Sequence, residues 1–376
     1  MKQKFTTLLQ LLLSIALMQA CVEPYDFAMP ITQKILIVDG SITDQPKDQF
    51  VIIKIADPKF NTTSGVKDAT VEVIEDNKTV IGLTDRNKDG TYFFPTSFQA
   101  KYNVSYKLRI KTKEGTQYES SSEVMVQGPK IDKVYTEFLK DGIPSGNSFS
   151  PAHFVYIDTK DPAGVKNNYF WTYRFWERQG YCVTCSAGRY FYNSRTRSWE
   201  CRDEQLEFDY DYVCDRDCWD IFYNTDLNVL TDTYTDGKAI IGRTVAKIPY
   251  YQRGGALVEI TQQSVSQTAF RYLRLLIDQG QNTGTLADTP PAALIGNIKN
   301  VNDPNESVGG IFMVSSTQTH LFWLDRKDVP INSVNPIGLL GRPANPEVSS
   351  DPTRPPLAAC IASRNRTPSK PRGWVD

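Results

Sequence analysis

Apolar and polar positions alternate with a period of two along much of this chain, in short runs separated by turn residues. From Lys34 to about Val126 the runs ILIVDGSI, FVIIKIAD, ATVEVIED, TYFFPTSF and YKLRIKT follow one another at the spacing of a β-sandwich. In YKLRIKT the pattern is clean: Tyr106, Leu108 and Ile110 share one face, and Lys107, Arg109 and Lys111 the other. In ATVEVIED it is incomplete, because Ile74 falls on the face opposite Val71 and Val73. Residues 34–128 are therefore expected to form an immunoglobulin-like or carboxypeptidase-regulatory-like sandwich. Gly128-Pro129 is a breaker pair, and it opens a larger β-rich domain over 129–376. There NYFWTYRFWE places Tyr169, Trp171, Tyr173 and Phe175 on one strand face. A row of four rings can stack on sugars, but it is more often core, because large aromatics dominate buried area. The fold class expected is mainly β.

One segment changes period. Ala269, Phe270, Leu273, Leu276 and Ile277 recur at helical spacing, with Ser266 placed as N-cap and Gly280 as C-cap. The tail, 345–376, is rich in Pro, Arg and Ser and is expected to have little regular structure, with Cys360 pinning it to the body.

The first twenty residues have the layout of a signal peptide: Lys2 and Lys4, an apolar stretch from Leu8 to Met18, and the small Ala20 before Cys21. That stretch falls short of the roughly 20 residues a membrane span needs. Cys21 is the expected site of lipid attachment, and residues 21–33 read as a lipidated tether. The cysteine count agrees. Seven are present, and with Cys21 acylated six remain: Cys182, Cys185, Cys201, Cys214, Cys218 and Cys360. An exported chain reaches an oxidising compartment, so three disulfides are expected, by any of about 15 connectivities.

Five of those six cysteines fall in an insert, residues 180–220, whose last 21 positions carry nine acidic side chains against Arg202 and Arg216. A segment this polar is expected to take its shape from cross-links and to project as a recognition loop separable from the body, with Trp199, Tyr210, Tyr212 and Trp219 as candidate ligand or partner contacts. Cys182-x-x-Cys185 and Cys214-x-x-x-Cys218 also resemble two zinc ligand pairs. Disulfides are the better reading, since Cys201 lies between the pairs without a role in such a site. Asp85-x-Asn87-x-Asp89-Gly90 opens like a calcium loop, but the twelfth position is Thr96 where a bidentate Glu is needed. A hairpin turn is expected instead.

Charge and motifs narrow the function. Without Lys2 and Lys4 the mature chain holds 40 basic and 43 acidic residues, net −3, and no basic cluster marks a nucleic-acid footprint. Only two histidines occur, His153 and His320, both in strand-like contexts, and no nucleophile elbow, zinc-protease, P-loop or dinucleotide motif is present. A non-enzymatic protein without cofactor is expected.

The opening CVEPYD…ILIVDGSITD, then ATVEVIED, then DGTYFFPTSFQAKYNVSYKLRIKTKEGTQYES resemble the bacterial lipoprotein family known as domain of unknown function 4249. The later ITQQSVSQTAFRYLRLL and TGTLADTPPAALIGNIKNVNDPNESVGGIFMVSS, followed by Cys360, continue that resemblance in order. It implies an outer-membrane lipoprotein of Gram-negative bacteria that accompanies a TonB-dependent transporter as a binding or presentation subunit. It supplies no catalytic residues. Glu23 and Asp26 after the cysteine favour the surface-facing leaflet. The alternatives are a surface scaffold without a small ligand and a carboxylate-dependent hydrolase.

Overall fold

The computed structural model describes residues 33–185, 188–203, 210–280, 294, 296–330, 333–338 and 357–376. Cys21 and the tether up to residue 32 lie outside them, as does the segment 204–209. The molecule is mainly β. The first strands are β1 (Ile35–Thr43), β2 (Phe50–Asp57), β3 (Thr62–Gly65), β4 (Thr70–Glu75), β5 (Thr79–Asp85), β6 (Thr91–Phe93), β7 (Ser105–Lys111), β8 (Gln117–Ser120) and β9 (Glu123–Val124). The second half adds β10 (Ile131–Ser145), β11 (Ser148–Lys160) and β12 (Asn168–Arg178). The insert then contributes β13 (Tyr181–Cys185), β14 (Gly188–Asn193), β15 (Ser198–Asp203) and β16 (Tyr210–Val213). After it come β17 (Trp219–Tyr223), β18 (Asn228–Thr231), β19 (Ala239–Pro249), β20 (Ala256–Val265) and the helix α1 (Gln267–Gly280). The last strands are β21 (Ile298–Asn300), β22 (Gly309–Leu324) and β23 (Arg366–Thr367).

Two groups of early strands close over one apolar core. Leu36 and Val38 of β1 and Val51 and Ile53 of β2 meet Val71 and Val73 of β4 and Leu108 and Ile110 of β7 in a single buried cluster. Tyr106, Leu108 and Ile110 are fully buried, as their alternation requires. In β4, Ile74 is buried alongside Val71 and Val73, which accounts for its break in the pattern.

Gly128-Pro129 does not separate two independent cores. Ile298, Val308, Phe312 and Val314 belong to the same cluster as the early strands. β21 extends the edge at β8, and β22 runs parallel to β1 through the register Ile37↔Gly309 to Thr43↔Ser315. Asn297 stitches the junction: its Oδ1 accepts from the Phe312 amide at 2.9 Å, and its Nδ2 donates to the Phe312 carbonyl at 2.9 Å and to Glu123 at 3.0 Å. The close approach of β22 to β1 requires glycine. Gly310 has φ +88°, and a Cβ there would lie 1.9 Å from the Val38 carbonyl oxygen.

Beyond β22 the sheet continues through β20, β12 and β17 to β23, so that sixteen strands of the described residues form one connected sheet. The sheet β10–β11–β19 packs on this half. Tyr169, Trp171 and Phe175 are buried between the two layers, with Trp171 Nε1 donating to Gln262 at 2.9 Å and the Tyr169 hydroxyl bonded to Asp161. The aromatic row is therefore core, not a sugar platform. Helix α1 covers the other face of this half through Ala269 and Leu273 against Phe170, Val265 and Ile311. Its N-terminus is capped as its sequence predicts, the Ser266 hydroxyl accepting from the Ala269 amide at 3.1 Å.

Beneath the C-terminal end of β12, Glu177 and Arg326 form a fully buried ion pair. Arg326 also donates to the carbonyls of Gln252 and Gly254, at 2.6 and 2.8 Å. Burial outweighs the guanidinium and pushes the Glu177 carboxyl up to about 7. His153 is buried nearby, its Nε2 3.0 Å from Asp328, and desolvation holds its pKa below the ordinary value. At the β5–β6 connection the Asp85 carboxylate accepts the amides of Asp89 and Gly90, and Asp89 accepts that of Thr91. With Lys88 at φ +53° and Gly90 at φ +87°, the segment Asp85, Asn87, Asp89 is a turn whose carboxylates already serve the backbone.

Candidate functional site

The insert and the chain's last twenty residues together build a clasp at the free edge of the large sheet. β13 pairs with β16, and β14 with β15, as two small antiparallel ribbons. Three disulfides hold them: Cys182–Cys214, Cys185–Cys201 and Cys218–Cys360. Cys182 and Cys185 thus take different partners, as do Cys214 and Cys218, and the two-pair zinc arrangement is not formed. Cys201, which had no role in such a site, closes the ribbon pair.

The tail lies across this base as a strap. The Asp215 amide donates to the Ala358 carbonyl at 2.8 Å, the Ala358 amide to the Val213 carbonyl at 2.9 Å, and Asp215 accepts from the Cys360 amide. Arg366 reaches from β23 to Asp220 at 2.7 Å and to the Cys182 carbonyl at 2.9 Å, joining strap, sheet edge and insert in one residue. Further along, Trp374 packs edge-on against Trp219 and Trp323, beside the buried Trp176 and Leu257. The base of the insert is therefore integral to the body, not a separable loop. Cys218 and Trp219 are buried, and Gln179 donates twice across the junction, from its amide to the Cys218 carbonyl at 2.8 Å and from Nε2 to the Asp220 carboxylate at 2.9 Å.

This placement corrects two of the four predicted contact residues. Tyr212 and Trp219 are each only 3 % exposed, because Tyr212 packs with Cys185 and Trp219 sits under the strap. Their interleaving with acidic residues reflected strand alternation, with the rings turned inward. Trp199 stands opposite Tyr192 in the β14–β15 ribbon and Tyr210 opposite Cys185, while their side chains lie outside the described set.

A groove of about 730 Å³ opens between the strap and the sheet edge, lined by Asp220–Thr225 on one side and by Ile361 and Ser363–Arg366 on the other. Its walls follow from the strand pairing. β17 is hydrogen-bonded to β12 along its inner side, from Arg178↔Trp219 to Arg174↔Tyr223. On its outer side β23 pairs only with Trp219 and Asp220, and the last rung is the Ile221 amide donating to the Asn365 carbonyl at 2.8 Å. The strap then turns back on itself, the Ser363 amide bonding the Arg366 carbonyl at 2.9 Å, and among the described residues no strand pairs with the rest of the β17 edge. The Arg364 guanidinium lies 5.2 Å from the centre of the Tyr223 ring, whose hydroxyl donates to the Arg364 carbonyl at 3.0 Å. Arg364 is exposed and makes no ion pair among the described residues. Ile361 is 73 % exposed at the groove's mouth. None of these lining residues was singled out from the sequence. The strap lacks periodicity, and its meeting with β17 spans more than 140 positions of chain.

A family model described as domain of unknown function (DUF4249) matches residues 22–320. The chain belongs to that family. No curated protein matches it. The DUF4249 match covers both layers of the body and the whole insert but stops within β22, so the strap lies beyond the matched residues. Among the described residues no helix is long and apolar enough to cross a membrane.

Proposed function

We propose that this DUF4249 protein is a non-enzymatic lipoprotein, anchored at the outer membrane through Cys21, that holds a ligand in the strap groove for a TonB-dependent transporter. The observation that carries this reading is the groove itself. The Cys218–Cys360 disulfide and an arginine-centred junction tie the strap wall to the sheet wall, and a site held in this way needs little ordering on binding. The signal layout before Cys21 supports the anchor, and the family resemblance supports the transporter. The carboxylate in the lining, Asp220, is paired with Arg366, and the other lining residues offer amide, hydroxyl, aromatic and guanidinium groups suited to recognition.

The test has two arms. Cys21→Ser is expected to move the protein from the membrane fraction to the soluble fraction and to abolish acyl labelling. In gentle detergent the native protein is expected to bring down an outer-membrane transporter. Retention of Cys21→Ser in the membrane with its label intact would overturn the anchor. Absence of any transporter from the native complex would leave the scaffold reading in its place.

A further inference from the structure

We infer that the groove takes an extended peptide bearing an acidic side chain, which adds as a strand to the outer edge of β17. The inference rests on the binding reading above and deepens it by naming the ligand class. Backbone direction alternates along β17. The Ile221 amide points outward to Asn365, and the Asn224 amide points inward to the Tyr173 carbonyl at 3.0 Å. Tyr223, two positions after Ile221, therefore presents its own N–H and C=O outward. The pairing with β23 ends at Ile221, so among the described residues these groups meet no backbone partner.

An edge that stops pairing partway is a template for another strand, and the same edge already accepts one, since β23 is added to it in the antiparallel sense. The charge at the site selects the side chain. Among the described residues Arg364 lines the groove without a carboxylate partner, whereas Arg366 is committed to Asp220. A guanidinium resting on an aromatic ring is held in place for a carboxylate. Ile361, exposed beside it, suits an apolar side chain on the same peptide face.

The experiment uses the full mature protein and a set of acetylated, amidated heptapeptides of alternating Val and Thr, with a single Glu scanned through each position. Titration calorimetry is expected to find saturable binding for the registers that bring Glu to Arg364. Exchanging that Glu for Gln, or introducing Arg364→Glu, is expected to weaken binding about tenfold or more. N-methylation of the peptide amide that faces Tyr223 is expected to abolish it, a loss that requires no change in the protein and so cannot come from misfolding. Full affinity after N-methylation, or no saturable binding by any member, would overturn the inference. Binding of a neutral oligosaccharide that Arg364→Glu removes would also overturn it, while leaving the groove as the site and the binding reading intact.

Discussion

The early strands and the cysteine clasp are both built of short β segments, yet different forces hold them. The early strands, with β21 and β22, bury a continuous set of Val, Ile, Leu, Tyr and Phe side chains. At about 25 cal/mol per Å² of apolar surface, burial of this kind is enough to fix strand register, because a slip of one residue would turn every apolar side chain outward. The clasp buries chiefly its own sulfur atoms and a few rings, with Cys182, Cys214, Cys218 and Cys360 forming a cluster of their own. Cross-links there replace the core that a ribbon pair of this size cannot supply. The contrast teaches that the sheet interior of this molecule is held by apolar burial, whereas its strapped edge is held by covalent ties.

The comparison breaks first at Phe312. This ring comes from β22 but lies in the core of the early strands. Phe312→Ala is expected to cost about 4 kcal/mol by denaturant unfolding. A fragment ending at residue 128 is expected to lack a cooperative transition, since it would lose Ile298, Val308, Phe312 and Val314 together. A fragment with native-like cooperativity would mean that the early strands suffice for their own core.

Next in size is the strap disulfide. Cys218→Ser with Cys360→Ser opens a closure 142 residues long. A loss of about 2–4 kcal/mol is expected, with protease nicking between 357 and 370 well below the unfolding midpoint. Cys185→Ser with Cys201→Ser opens only the 16-residue closure within the insert. Its effect is expected in hydrogen exchange of β14 and β15, with the body melting as before. Equal global losses from the two pairs would remove the distinction between strap and ribbon.

The smallest effect sharpens the boundary between core and clasp, where Glu177 on β12 stands opposite Asp220 on β17. Its folded pKa, about 7, is raised above the unfolded value of 4.5. The neutral carboxyl therefore favours folding, fully so below pH 4.5, and that contribution is lost as pH rises toward 7. Glu177→Gln is expected to flatten stability between those limits, by at most about 1.4 kcal/mol per pH unit. His153 works in the opposite sense, because its depressed pKa withdraws stability as pH falls below 6.5. An unchanged slope in Glu177→Gln would show that the carboxyl stays ionised beside Arg326.

Period-two alternation in ILIVDGSI and YKLRIKT, the cap at Ser266 and the turn at Asp85 were legible in the sequence because each depends on neighbours a few residues away. The even set of cysteines left after Cys21 likewise announced three disulfides. Their pairing was not legible, because it depends on which strands the fold brings together, and only the folded chain places Cys360 beside Cys218. Only the tertiary structure decided that β21 and β22 complete the early core, that Tyr212 and Trp219 face inward, and that Arg364, without an ion-pair partner among the described residues, lies beside the β17 edge. Each of these joins positions far apart in the chain, and local pattern carries no information about contacts whose register is fixed by packing between distant strands.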